Sequence, residues 1–163
     1  MKPKYNKEFI VTSVVAVIVD DEQRVLLTKR NISPFEGLWV MPGGKIDLGE
    51  PILQALHREV REEVGLEVEV EDLIDVFEHL TPGDGNSHFI ILYYLCRPTV
   101  CEIKHNPFEV DEARWVSREN LDEYPMADGA KYILGRIFPE LYCSAQAKAA
   151  TRLRRKIRKM KKQ

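Results

Sequence analysis

The segment from Gly44 to Leu66, GKIDLGEPILQALHREVREEVGL, constrains the fold more than any other stretch of the chain. Pro51 is placed to open a helix, because its fixed φ suits the first turn and its missing N–H is not needed there. Leu53, Leu56, Val60 and Val64 then recur at helical spacing, and Gly65 stands where a left-handed residue closes the last turn. A helix from Pro51 to Val64 is therefore predicted, entered from a loop that carries Pro42, Gly43, Gly44 and Gly49.

At about 100° per residue, Glu59, Glu62 and Glu63 fall within roughly a 100° arc that borders the apolar stripe. Like charges within one turn oppose a helix by about 0.2–0.5 kcal/mol per pair, and desolvation at the core edge adds to that cost. Arg58 and Arg61 lie further round and reach only part of the cluster. Hard divalent cations, Mg²⁺ or Mn²⁺, are the expected partners, and they bring phosphate ligands with them. The alternative for such a helix taken alone is a charged surface helix with ordinary Glu and Arg pairs.

Elsewhere the pattern alternates between strands and helices. Phe9 to Val19 and Arg24 to Arg30 read as a hairpin turned at Asp20, Asp21 and Glu22, with Asn31 to Trp39 a loop after it. Glu67 to Val76, Ser87 to Cys96 and the shorter Ala113 to Val116 read as strands, Thr81 to Asn86 as a loop, and Glu119 to Asp122 and Asp128 to Phe138 as helical. Strands mixed with two or three helices give an α/β sandwich.

A chain of 163 residues that is 44% hydrophobic suits one domain with its own core. It has no apolar run of about 18 residues, and Met1 to Glu8 is too polar for a secretory signal, so a cytoplasmic protein is expected. Cys96, Cys101 and Cys143 form no CxxC pair and are expected to be reduced thiols. Nine of the 24 basic residues and none of the 26 acids lie in 144–163, so a net acidic body precedes a basic tail, helical or disordered. Leu153, Ile157 and Met160 would line one side of a cationic helix there. Such a helix would meet RNA or an anionic surface through salt-dependent charge, against the plainer expectation of a solvated extension.

In order, Gly44, Glu50, Arg58, Glu59, Val60, Glu62, Glu63, Gly65 and Leu66 reproduce the spacing of the Nudix box. The pattern is Gly, five residues, Glu, seven residues, then Arg-Glu-aliphatic-x-Glu-Glu-x-Gly-aliphatic. The chain resembles the Nudix hydrolase family, in its MutT-like branch, over about Phe9 to Phe138. The resemblance takes in the LLTKR strand, the GLWVMPGG approach and the EARWV strand with YPMADGAKYI after it.

That resemblance implies an α/β/α sandwich with a mixed sheet, a Nudix domain over 1–143 and a separate tail over 144–163. It implies Glu59, Glu62 and Glu63 as metal ligands with the Gly43 carbonyl, Glu109 as a further ligand, and Arg58 and Glu50 orienting loop and helix around Gly44 and Gly65. Glu59 is the first candidate for general base, with the 102–112 loop, through Glu109 or Glu112, as the other source. Arg30, Trp39, His88 and Asp128 are candidate substrate contacts, and Phe35 or Trp39 would stack on a base. Each has a structural reading beside it: Trp39 as core, His88 as a strand-end residue, Asp128 as a helix N-cap.

The implied chemistry is metal-dependent hydrolysis of a nucleoside diphosphate linked to X. A nucleoside or deoxynucleoside triphosphate, unmodified or oxidised, would give the monophosphate and pyrophosphate. ADP-ribose or a nucleotide sugar is the alternative substrate, and a non-catalytic nucleotide- or RNA-binding module is the alternative role. The family also admits a homodimer.

Overall fold

A computed structural model describes residues 9–33, 35–81 and 87–139; the tail expected over 144–163 and most of the expected Thr81 to Asn86 loop lie outside these residues. The strands are β1 (Ile10–Ile18), β2 (Arg24–Arg30), β3 (Trp39–Val40), β4 (Gly43–Lys45), β5 (Val68–Thr81), β6 (Ser87–Pro98) and β7 (Val110–Ser117). The helices are α1 (Ile52–Val64), a 3-10 turn over Arg118–Glu123, and α2 (Asp128–Ile137).

One sheet has the order β4-β1-β6-β5 and the other β3-β2-β7. Among the described strands β1 and β6 pair in parallel and the other four strand pairs are antiparallel, so the sheet structure is mixed, as expected. The expected hairpin is not formed. Both edges of β1 are taken, by β4 and by β6, and β2 meets the end of β1 only at the Val19↔Val25 bridge before leaving for the second sheet. The turn between them is nevertheless tight: Asp20 accepts from the Glu22 and Arg24 amides at 3.0 and 2.8 Å and from Arg24 Nε at 2.7 Å.

Alternation along β1 sends Val14, Ala16 and Ile18 to one face and Val17 to the other. The first face packs on Ala55, Leu56, Val60 and Val64 of α1, the second on Ala130, Ile133 and Leu134 of α2. The layers are helix, sheets, helix, the α/β/α arrangement that the family resemblance implied. Leu53 departs from the predicted stripe. It is 45% exposed and Ile52 is 39% exposed, because the first turn of α1 extends past the apolar layer.

The end of α1 follows from its glycine. Gly65 is left-handed at φ 67, and its N–H donates to the Arg61 carbonyl at 3.1 Å. The last carbonyls are then satisfied from the 101–107 loop, with Lys104 N–H donating to Val64 O and Asn106 N–H to Glu63 O, both at 2.9 Å. A Cβ on Gly65 would stand 3.0 Å from Lys104, so the glycine is required both by its φ and by this docking. The loop continues to Asn31, whose N–H donates to Glu109 O at 3.4 Å and whose Nδ2 donates to Pro107 O at 3.0 Å. Glu109 is thereby brought to the same end of the sandwich as the α1 carboxylates.

Candidate active site

β4 carries the glycines across α1. It pairs with β1 through Gly43↔Val15, Gly44↔Val14 and Lys45↔Ser13, and its backbone faces the helix carboxylates. Gly43 N–H donates to Glu63 Oε2 at 3.0 Å. A Cβ on Gly44 would stand 2.4 Å from the Glu59 carboxylate, so any larger residue would push that carboxylate off its present place.

Arg58 ties loop to helix. Its Nε and Nη2 form a fork on Glu50 at 2.7 and 2.9 Å, Nη2 also donates to Lys45 O at 3.0 Å, and Nη1 donates to Glu59 at 2.8 Å and Glu62 at 3.3 Å. The fork, reinforced by the Asp47 amide at 3.1 Å, draws the Glu50 carboxyl down to about 2. Glu50 is thus a fixed anion that holds Arg58 in place.

The other carboxylates are undercompensated. Glu63 is 5% exposed, and desolvation pushes its pKa up to about 8; the Gly43 amide and the charge of Arg30 oppose the rise, while Glu59 and Glu109 add to it. The Glu59 side chain is 12% exposed, and its pKa is also raised, chiefly by desolvation; Arg58 acts against this, and Glu62 and Glu109 act with it. Among the described residues no three carboxylate, imidazole or thiolate groups are drawn up around one point. Instead Glu59 and Glu62 are held on Arg58, and Glu63 on the Gly43 amide. The donor set still fits a hard cation, since clustered, partly buried carboxylates with too little positive charge are what a divalent ion relieves.

Beside this cluster a cavity runs between the sheets and α2. Gly43, Gly44 and Lys45 line the end next to the carboxylates, and Arg30, Phe35, Phe77, His79, Phe89 and Tyr93 line the rest. The sandwich permits it because Phe77 and His79 of β5 and Phe89, Ile91 and Tyr93 of β6 share one pleat face, as the His79↔Phe89 and Phe77↔Ile91 register requires.

The residues singled out from the sequence divide accordingly. Arg58, Glu59, Glu62, Glu63, Glu50, Gly43 and Gly44 come together, with the charge of Glu109 acting on Glu59 and Glu63, and Arg30 lining the cavity. Glu112 pairs instead with Lys29 at 3.6 Å and with Arg114. Trp39 is 6% exposed in the core, edge-on to Tyr124 at 4.9 Å, and does not line the cavity. His88 lies on the opposite face of β6, with Nε2 2.8 Å from Glu78. Asp128 is the first residue of α2 rather than its cap, which is Ala127; its side chain is 86% exposed and 3.7 Å from Lys131. Phe77, His79 and Phe89 are cavity residues beyond those singled out from the sequence; strand phase with Ile91 and Tyr93 marks Phe89, while Phe77 and His79 follow only from the β5–β6 register.

A carboxylate-bearing helix docked against a glycine strand in an α/β/α sandwich is the arrangement that the Nudix resemblance implied. The NUDIX domain family model matches residues 10–137, and the chain belongs to that family. An ADP-ribose pyrophosphatase of Methanocaldococcus jannaschii is 31% identical over 104 residues, 64% of this chain and 60% of that protein. The nucleoside triphosphatase NudI of Escherichia coli is 30% identical over 124 residues, 70% of this chain and 87% of that protein. The crystal structure of a MutT NUDIX hydrolase from Burkholderia pseudomallei superposes with a TM-score of 0.72 at 30% identity, covering 79% of this chain and 98% of that one. No described helix is long and apolar enough to cross a membrane.

Proposed function

We propose that this chain is a metal-dependent pyrophosphohydrolase that cleaves a nucleoside or deoxynucleoside triphosphate, unmodified or oxidised, to the monophosphate and pyrophosphate. The observation that carries this reading is the cavity's position against the carboxylate helix: aromatic walls at one end, and at the other Gly43, Gly44 and Lys45, with Gly43 N–H on Glu63 and Gly44 against the Glu59 carboxylate. The triphosphate class is favoured by the match to NudI over 87% of that protein's length.

Glu59, Glu62 and Glu63, with the Gly43 carbonyl and Glu109, are the residues that would hold Mg²⁺ or Mn²⁺. Such an ion, when bound, neutralises phosphate charge and activates water. Glu59 accepts the proton of the attacking water, its pKa already raised by burial toward the working range of a base. Arg58 positions Glu59 and Glu62 against the loop. Arg30 and Lys45 face the phosphate chain, and Phe35, Phe77 and Phe89 flank the base.

The test is product analysis with Mg²⁺ and with Mn²⁺ across NTPs, dNTPs, 8-oxo-dGTP, ADP-ribose and nucleotide sugars, with Glu62→Gln as control. Monophosphate plus pyrophosphate, lost in the control, is the expected result. ADP-ribose is the second reading, motivated by the 31% identity to an ADP-ribose pyrophosphatase, and AMP plus ribose 5-phosphate would select it. Silence across the panel would sink both.

A further inference from the structure

The His79 ring lies in the cavity wall, edge-on to Phe35 at 5.0 Å and 6.3 Å from Phe89. Its Nε2 is buried and has no hydrogen-bond partner among the described residues. A buried ring nitrogen without a partner destabilises the fold that holds it, and phenylalanine would fill the same space with no such cost. Packing therefore does not explain a histidine here, whereas a ligand atom would. Phe35 covers it from a strained backbone: its φ is 68, in the left-handed region, closed by Leu38 N–H donating to Phe35 O at 3.0 Å and Gly37 N–H donating to Arg30 O at 2.8 Å. That turn holds the Phe35 ring in the cavity wall beside His79.

We infer that His79 is the specificity-determining residue of the cavity, its ring nitrogen hydrogen-bonding a heteroatom on the edge of the nucleobase while Phe35 moves aside to stack on the base face. This rests on the nucleotide reading above. A neutral imidazole nitrogen offers one donor or one acceptor according to its tautomer. A base edge with the wrong group would leave it unpaired again, which is how a buried polar group rejects a near relative of its ligand.

The experiment is an NMR titration of ¹⁵N-labelled full-length protein with AMP, GMP, CMP and UMP in the presence of a chelator. One base should bind about tenfold or more tighter than the weakest, and the His79 ring ¹⁵N resonance should move on saturation. In His79→Phe the spread should shrink below about threefold while Tm stays equal or rises, because the unpaired group is gone. A merely structural histidine would do the reverse, lowering Tm and leaving the preference. If the phenylalanine variant misfolds, His79→Gln, whose amide reaches differently, should change the ranking of the bases. A wild type without preference, a ring resonance unmoved by all four nucleotides, or a preference retained in the variants would overturn the inference. Glu62→Gln should keep the wild-type base preference, so loss of turnover and loss of base reading are separate results.

Discussion

Removing the charge of Glu63 should stabilise the metal-free protein, and by an amount that grows with pH. The carboxyl has a pKa of about 8 in the fold against 4.5 for the free group. Between those values the unfolded chain has released a proton that the folded chain retains, so stability falls as pH rises through the window. At about 1.4 kcal/mol per pKa unit, the loss accumulates to roughly 4 kcal/mol by pH 8. Glu63→Gln keeps an oxygen for the Gly43 amide and cannot ionise, so the variant should escape the loss. Urea unfolding with a chelator at pH 5, 6.5 and 8 measures this, and the difference between the two proteins cancels the other titrating groups. The curves should differ by about 1 kcal/mol or less at pH 5 and by a few kcal/mol at pH 8, with the variant more stable. Adding Mg²⁺ at pH 8 should then raise wild-type stability and leave the variant almost unchanged. Parallel pH dependence, or a variant less stable at pH 8, would refute the claim that this carboxylate is buried against its own charge.

Gly44→Ala should place a methyl group in the Glu59 carboxylate, lowering kcat about a hundredfold while circular dichroism remains that of the wild type. Arg58→Lys loses the fork on Glu50. Because the folded Glu50 pKa of about 2 lies below its free value of 4.5, its stabilisation is present above pH 4.5 and lost as pH falls toward 2; acid titration followed by fluorescence should show that component flattened in the variant. Trp39→Phe, at a 6% exposed site outside the cavity lining, should lower Tm by several degrees and leave KM within about twofold, a split readable from melting curves and steady-state kinetics together.

What could be read from the sequence was whatever side-chain chemistry alone specifies. α1 announces itself through its apolar spacing, and its end through Gly65, whose φ of 67 only glycine adopts readily. The carboxylate arc follows from helical geometry, and the structure sets Glu63 deeper than an edge position suggests, because β4 closes over it. β4 has the sequence of a loop: Gly43, Gly44 and Lys45 carry no alternating pattern, and the strand exists through backbone pairing with β1, which no side chain advertises. The two-sheet division was hidden for a related reason, since a short polar turn between two apolar runs is compatible with either a hairpin or a change of sheet.

The two histidines show how much a single residue of phase decides. His88 and His79 both lie on long β strands, and nothing in residue type separates them. Phe89, Ile91 and Tyr93 of β6 are buried toward α2, so strict alternation turns His88 to the other face, where Glu78 meets it. The same alternation carries across the ladder, because His79 stands opposite Phe89 and must share its side of the sheet. Choosing between the two residues therefore requires the β5–β6 register. That register depends on where β5 is offset, at the shifts between Val70 and Asp72 and between Leu73 and Asp75, and such offsets leave no mark in hydrophobic periodicity.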